Sequence, residues 1–215
     1  MDNFTSISQI LYIAQGSFVT LQYSLCSVLL GLFLGIVLAF AKNSKYSLIS
    51  GLSSVYTSLF RGTPLLVQLT IVYFALPDLI NVEISVFAAG IIAFSLNSAA
   101  YVSEIIKAGI NNVEKGQIES ATLLKIPKYY IAKDIILPQA IRSILPSLTN
   151  ELVNMLKESA VISIFGELDL MYRANIIAFE GYDVITPMIT VAACYYVLIL
   201  IFSSLARVLE KKLKL

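Results

Sequence analysis

Side chains that can bind a small polar solute or relay an ion are concentrated in two otherwise apolar stretches of the sequence. Asn97, Tyr101 and Glu104 recur at i, i+4 and i+7, so a helix would carry them on one face. The second stretch places amides and charges on one broad side of a helix: Asn150, Glu151, Asn154, Lys157 and Glu158. Charged groups in apolar helices are costly and usually face the interior of a bundle. These residues therefore either line a path or pair with neighbouring helices.

The residues of the sequence give little support for an enzyme active site. The sequence has no histidine, which excludes a Ser-His-Asp or Cys-His pair and an ordinary zinc site. Glu151 and Glu158 could form a carboxylate pair, but two helical turns, roughly 10 Å along the axis, separate them. Cys26 and Cys194 lie inside apolar stretches, as core or lipid-facing cysteines do. We expect neither an enzyme nor a resident cofactor.

The composition indicates an integral membrane protein. Of the 215 residues, 58% are hydrophobic and 13% are charged, and the mean hydropathy is +0.82. Soluble domains have about 45–50% apolar and about 25% charged residues. The net charge of +1 gives no electrostatic basis for binding nucleic acid. The expected environment is the lipid bilayer.

Five apolar segments are candidates for transmembrane helices, since about 20 apolar residues span the hydrocarbon. They comprise residues 18–41, 63–79, 84–106, 145–165 and 187–206. We expect Thr63 as the N-cap of the second, with Pro64 in its first turn. The uncharged stretch 46–60 either lies at the membrane interface or lengthens that helix. The expected fold is one all-α, polytopic domain with five transmembrane helices over residues 1–215.

The distribution of charge predicts the orientation, because five spans put the two termini on opposite sides. Most basic residues fall on one side: Lys42, Lys45, Arg61, Lys107, Lys115, Lys125, Lys128, Lys133, Arg142, Arg207, Lys211, Lys212 and Lys214. Acidic residues collect on the other: Asp2, Asp78, Glu83, Glu167, Asp169, Glu180 and Asp183. Since basic loops stay in the cytoplasm, we expect the N-terminus outside and the C-terminus inside.

Residues 111–142 form the one long polar insertion on the predicted inner face. The segment 117–125 predicts a short helix, with Glu119 in its first turn, where a carboxylate suits the positive helix end. Such a helix cannot bury itself alone. It either packs on the membrane domain as a plain connector or enters a groove on another protein.

This loop and several other segments resemble a known family. Glu119-Ser120-Ala121, followed by Ile135-x-Leu137-Pro138, matches the spacing of the EAA loop of ABC-importer permeases. Further segments resemble polar amino acid permeases of the histidine/glutamine/arginine type, most closely the glutamine type: 61–68, 95–101, 104–110 and 115–117. The resemblance extends over roughly residues 16–212.

Two residues depart from the family pattern. Ser120 replaces the usual alanine, and Lys125 replaces a glycine that permits a tight turn, often with positive φ. Lysine is strained in the left-handed backbone conformation, although its charge suits a helix C-terminus. Ile126-Pro127 can still end the helix, because a residue before proline is pushed to extended geometry. We expect coupling to survive with altered turn geometry; the alternative is a degenerate, inactive copy.

The resemblance implies the architecture of a type I ABC importer permease (MetI-like) in a bacterial inner membrane. It implies an ATP-binding-cassette ATPase subunit, an extracytoplasmic solute-binding protein and a second permease copy, identical or paralogous. The chain has no Gly-x-x-x-x-Gly-Lys-Ser/Thr loop, so ATP would be bound by the partner. The residues implied for docking the ATPase are Glu119, Ser120, Ala121, Lys125 and Pro138.

The resemblance also implies a polar amino acid as the substrate, with glutamine as the first candidate. An amino acid presents an ammonium and a carboxylate, so its site needs acceptors and donors. The expected path residues are Asn97, Tyr101, Glu151, Asn154 and Glu158. The alternative is a secondary carrier or channel not driven by ATP, in which Glu104, Lys157 and Glu158 relay ions. Arg61 before Thr63-Pro64 would either anchor a turn to lipid phosphate or act at a gate or subunit interface.

Overall fold

A computed structural model describes residues 7–212, apart from the side chains of Leu209 and Lys212. Asp2 and Lys214, which entered the predicted charge asymmetry, lie outside the described residues. Between residues 7 and 212 the regular secondary structure is helical, as predicted. The α-helices are α1 (Ile7–Gln15), α2 (Ser17–Lys42), α3 (Ser47–Gly62), α4 (Leu65–Thr70), α5 (Leu76–Ile80), α6 (Val86–Asn111), α7 (Lys115–Leu123), α8 (Lys128–Tyr130), α9 (Leu137–Glu158), α10 (Leu170–Gly181) and α11 (Ile185–Lys212). Two π-helical turns and a 3-10 helix join them: Ile71–Ala75, Ile131–Ile136 and Ser159–Phe165.

Among the described residues, three helical segments are long and apolar enough to cross a bilayer: Ile7–Lys42, Val86–Asn111 and Ile185–Val208. The bent pair Ser47–Gly62 and Leu65–Ile80 makes a fourth if it counts as one span. Helix α9 does not join this set, which we attribute to the amides and charges in its second half. The predicted span 145–165 begins inside α9 and ends in the 3-10 helix. The number of five spans and the orientation of the termini stay predictions.

Helices α2 and α6 pack closely because small residues line their contact. A Cβ atom at Gly31 would lie 2.7 Å from Cβ of Ser98, and one at Gly35 would lie 2.6 Å from Cγ1 of Val102. Both pairs have the same offset in sequence, so the two helices run in the same direction. Tyr23 of α2 is fully buried and joins a hydrophobic cluster with residues of α4, α6 and α9. This packing fixes α6 as the central helix.

The chain bends by 108° between α3 and α4. The prediction that Thr63 is the N-cap of the second span was wrong. Thr63 is the extended residue that ends α3, at φ −122° and ψ 146°, and Pro64 is the N-cap of α4. The Thr63 hydroxyl donates backwards to the Leu59 carbonyl at 2.8 Å. The cause is Pro64, because proline disfavours helical geometry in the residue before it.

The predicted loop helix exists, but α7 begins at Lys115, two residues earlier than expected. Glu119 is therefore its fifth residue and not in its first turn, because Glu114 takes the N-cap position. Helix α7 ends in a Schellman motif: Ile126 N–H donates to the Ala121 carbonyl at 3.1 Å, and Lys125 N–H donates to Thr122 at 3.0 Å. Lys125 has a φ of 54°, so lysine adopts the left-handed conformation, and the altered turn geometry that we expected is not seen.

The start of α10 rests on a buried carboxylate. Asp169 lies in the connection between the 3-10 helix and α10, outside the spanning segments, and is the N-cap of α10. Its Oδ1 accepts a hydrogen bond from Tyr172 N–H at 2.8 Å, and its Oδ2 accepts one from the Tyr195 hydroxyl at 3.5 Å. Its side chain is 0% exposed, and this burial raises the pKa of Asp169 to about 6. A charge that the sequence assigned to the outer face is thus enclosed.

Candidate functional site

Helices α6 and α9 bring the five predicted path residues together. They surround a cavity of about 110 Å³, which we call the acidic cavity. Its lining side chains are Asn97, Tyr101, Glu151, Asn154, Met155 and Glu158. Sequence reasoning missed Met155, because a methionine in a helix is usually only a packing residue.

Helical spacing explains why these residues meet. Asn97 and Tyr101 lie one turn apart on α6, and Glu151 and Glu158 lie two turns apart on α9. Glu104 continues the same face of α6, but it lies outside the acidic cavity and pairs with Lys42. The cavity therefore ends near Tyr101.

The acidic cavity contains two carboxylates and no basic lining side chain. Glu151 is 6% exposed, whereas Glu158 is open to the surface. Between residues 7 and 212 the one ion pair joins Lys42 to Glu104, so neither Glu151 nor Glu158 has a cation at pairing distance. The alternative that Lys157 and Glu158 pair with neighbouring helices receives no support within this part of the chain. The two carboxylates are available for a positively charged group.

Asn97 also holds the bend between α3 and α4. Its amide nitrogen donates to Oε1 of Gln68 at 3.0 Å and to the Phe60 carbonyl at 3.2 Å. The Gln68 amide donates to the Phe60 carbonyl at 2.8 Å and to the Thr63 carbonyl and hydroxyl, each at 3.0 Å. Gln68 was missed as a site residue, although it is a polar residue in an apolar segment. The acidic cavity and the bend therefore share one hydrogen-bond network.

Arg61, at the end of α3, places its guanidinium 5.4 Å from the ring centroid of Tyr101. This distance is within the range of a cation–π contact. Tyr101 lines the acidic cavity, so Arg61 forms part of the cavity's surroundings. The expected turn at Thr63-Pro64 is present, and the position of Arg61 beside Tyr101 was not foreseen.

The predicted docking residues occupy different environments in the loop 111–142. Glu119, Ser120, Lys125 and Pro138 are exposed, whereas Ala121 is 4% exposed. Helix α7 therefore turns Ala121 toward its own loop. Exposed apolar side chains lie at the end of α7 and just after it: Leu123, Leu124 and Tyr129. These three were not predicted, although exposed apolar groups on a polar loop are a signal for a partner surface.

Two side-chain hydrogen bonds connect the loop to α9. The Gln139 amide donates to Oε1 of Gln117 at 2.7 Å, which ties α9 to α7. The Asn112 amide donates to the Ser143 hydroxyl at 2.9 Å, one turn further along α9. Helix α9 also carries Glu151 and Glu158, so a displacement of α7 can reach the acidic cavity through one helix.

Comparison with solved structures supports the fold and the class of transporter. A crystal structure of an amino acid ABC transporter with histidines shares 40% identity with this chain, has a TM-score of 0.88 and covers 94% of both chains. Inward-facing structures of the MetNI methionine ABC transporter share the fold at 18% identity, with a TM-score of 0.78 over 97% of this chain and 99% of that chain.

Sequence relatives cover nearly the whole chain. A putative glutamine transport system permease protein GlnP from Rickettsia bellii (strain RML369-C) is 57% identical over 95% of this chain and 94% of its own. The arginine transport system permease protein ArtQ from Bacillus subtilis (strain 168) is 45% identical over 100% of this chain and 98% of its own. Residues 31–215 match the family described as binding-protein-dependent transport system inner membrane component. The chain belongs to this family of transport permeases.

Proposed function

We propose that this chain forms the translocation path for a polar amino acid and that the acidic cavity is its substrate site. The observation that carries the proposal is the convergence of Asn97, Tyr101, Glu151, Asn154 and Glu158 around one cavity. Glu151 and Glu158 receive the ammonium group of the substrate. The amides and the Tyr101 hydroxyl offer hydrogen bonds to its remaining polar groups.

Glutamine is the first candidate substrate, because the rickettsial relatives are named for it. Arginine is the second, and one observation favours it. The cavity has two carboxylates and no basic lining residue, and arginine brings two positive groups where glutamine brings one.

The chain works, in this proposal, with an ATPase subunit, an extracytoplasmic solute-binding protein and a second permease copy in the bacterial inner membrane. Helix α7 docks on the ATPase through Glu119 and Ser120 beside the exposed Leu123 and Leu124. The turn at Lys125 and the ring of Pro138 restrict the backbone conformations of the loop. Two hydrogen bonds support transmission of a movement of α7 into α9. Gln139 of α9 donates to Gln117 of α7, and Asn112 donates to Ser143 of α9.

Uptake by the reconstituted complex tests the proposal. Proteoliposomes containing the permease, its ATPase and its binding protein should take up labelled glutamine or arginine with ATP, and vanadate should stop the uptake. Glu151→Gln and Glu158→Gln should each reduce uptake at least tenfold, because a charge-assisted hydrogen bond contributes about 1.5–3 kcal/mol. Uptake by the permease alone, driven by an ion gradient and insensitive to vanadate, would instead support a secondary carrier.

Coupling through α7 has its own test. Glu119→Lys should lower the amino acid transported per ATP hydrolysed while membrane insertion stays intact. Glu210→Lys makes the same charge reversal near the end of α11 and should leave this ratio unchanged. Equal ratios in the two variants would remove Glu119 from the coupling mechanism.

A further inference from the structure

A second and larger cavity, of about 340 Å³, lies where α2, α3 and α6 meet. We call it the basic cavity. Its charged lining residues are Lys42, Arg61, Glu104 and Lys107. They stand at the ends of these helices that the charge distribution predicts to be cytoplasmic. Nothing in the substrate site described above uses this cavity.

The charges in the basic cavity do not cancel. Lys42, whose side chain is 5% exposed, is paired with Glu104 and also donates to the Ser103 hydroxyl at 3.3 Å. Arg61 and Lys107 are exposed, and no carboxylate of residues 7–212 lies within ion-pair distance of either. Lys107 and Arg61, whose guanidinium also contacts the Tyr101 ring, thus form no direct ion pair and can bind an anionic group.

The amphipathic pattern of α3 indicates that this cavity faces away from the lipid. The side of α3 that lines it carries hydroxyl groups, from Ser54, Thr57 and Ser58. The opposite side carries exposed apolar residues: Leu48, Leu52, Val55 and Leu59. An amphipathic helix in a membrane turns its apolar face to the lipid. The hydroxyl face and the basic cavity therefore lie on the side away from the acyl chains.

The basic cavity adjoins the acidic cavity through one contact. Arg61 lines the basic cavity, Tyr101 lines the acidic one, and the guanidinium lies 5.4 Å from the ring centroid. On α6, Glu104 follows Tyr101 by one turn. A solute that leaves the acidic cavity along α6 toward the predicted cytoplasmic side therefore meets Arg61 next.

We propose that the basic cavity is a second amino acid site, which binds the substrate's carboxylate on the cytoplasmic side through Arg61 and Lys107. This inference rests on the function proposed above. The guanidinium of Arg61 can bind a carboxylate through two parallel hydrogen bonds, and Lys107 adds a second positive charge. The two cavities thus bind opposite ends of the zwitterionic amino acid. Carboxylates bind its ammonium group in the acidic cavity, and cations bind its carboxylate in the basic cavity. Amino acid accumulated inside the cell occupies the basic cavity and slows further import.

Proteoliposomes loaded with amino acid test the site. ATP-driven uptake of labelled glutamine is measured at increasing internal glutamine, with a parallel series for arginine. Internal amino acid should inhibit the unsubstituted complex. Arg61→Gln and Lys107→Gln should each raise the half-inhibitory internal concentration about tenfold, the effect of losing one charge-assisted hydrogen bond. Arg61→Lys keeps the charge but loses the paired geometry, so its value should lie between.

Controls separate the possible outcomes. Lys45→Gln removes an exposed basic residue outside the basic cavity and should not change the inhibition. Each variant is normalised to its own uptake into empty vesicles, which removes effects of folding. Unchanged inhibition in Arg61→Gln and Lys107→Gln would overturn the site and leave the proposed function standing. If these variants lose only a dependence on phosphatidylglycerol in the vesicles, the ligand is a lipid phosphate and the proposal is wrong. No ATP-driven uptake of either amino acid by the unsubstituted complex would overturn both proposals.

Discussion

Replacing Lys125 by glycine should stabilise the turn that ends α7. Lys125 has a φ of 54°, and the left-handed conformation costs a residue with a side chain about 1–2 kcal/mol. Glycine lacks this cost but loses more conformational freedom on folding, by about 0.5–1 kcal/mol. The net gain for Lys125→Gly is about 0.5–1 kcal/mol, and it acts locally on the turn.

Hydrogen exchange can measure this gain, because two amide hydrogens close the turn. Ile126 N–H donates to Ala121 and Lys125 N–H donates to Thr122. In lipid nanodiscs, a peptide covering residues 118–127 should exchange about two- to fivefold more slowly in Lys125→Gly, as a gain of that size requires. Lys125→Asn should give a smaller slowing, since asparagine tolerates the left-handed region better than lysine.

A matched glycine substitution controls for general effects on the loop. Lys128 begins α8 and does not have positive φ, so Lys128→Gly should speed exchange in its neighbourhood. Slower exchange in both glycine variants, or no change in Lys125→Gly, would refute the argument from backbone strain.

Three further predictions concern packing, the bend and pH. Gly35→Leu should lower the thermal unfolding midpoint, because overpacking where a Cβ already meets Val102 at 2.6 Å costs about 1–3 kcal/mol. Gln68→Leu should destabilise the fold by about 1–3 kcal/mol, measured by denaturant unfolding, because it leaves the Thr63 carbonyl without its side-chain donor and removes the Gln68 oxygen that accepts from the Asn97 amide. The pKa of Asp169 is raised from 3.8 to about 6 in the folded protein, so its contribution to stability is full below pH 4 and is lost as pH rises through 6. Asp169→Asn should flatten that part of the profile of unfolding midpoint against pH.

Each of these predictions has an outcome that contradicts it. Nothing lies within 4 Å of a Cβ at Gly51, so equal losses in Gly35→Leu and Gly51→Leu would argue against the close contact of α2 and α6. Thr70→Val removes a hydroxyl that bonds only within its own helix; it should cost less than Gln68→Leu, and the reverse order would count against the network at the bend. A pH profile that keeps its slope in Asp169→Asn would assign that slope to other groups.

The helical periodicity of the polar residues predicted which of them share a helix face, and five residues identified in this way line the acidic cavity. Asn97 and Tyr101, or Glu151 and Glu158, share helix faces by spacing alone, and a buried polar face in an apolar helix has few other places to go. The sequence pattern also identified the loop helix. The family resemblance pointed to Lys125 as a position that favours positive φ, but we expected the turn geometry to change there, and it does not.

Tertiary contacts were beyond the sequence pattern. Neither the stacking of Arg61 on Tyr101 nor the bonding of Gln68 to Asn97 follows from local spacing, because each joins segments whose relative placement depends on the bend at Pro64. The N-cap at Thr63 was wrong for a local reason: Pro64 acted on the residue before it and not only on the helix after it. The second half of α9 is too polar to pass as a span by composition, so the count of five spans, which we inferred from the apolar segments of the sequence, stays a prediction.

Equilibrium binding of amino acid to the acidic cavity tests the central proposal most directly. Labelled glutamine and arginine are titrated into the purified permease–ATPase complex in nanodiscs, without the solute-binding protein and without ATP. We expect saturable binding of at least one of them, and a dissociation constant at least tenfold higher in Glu151→Gln and in Glu158→Gln. Binding that keeps its full strength in both variants would contradict the assignment of the acidic cavity as the substrate site.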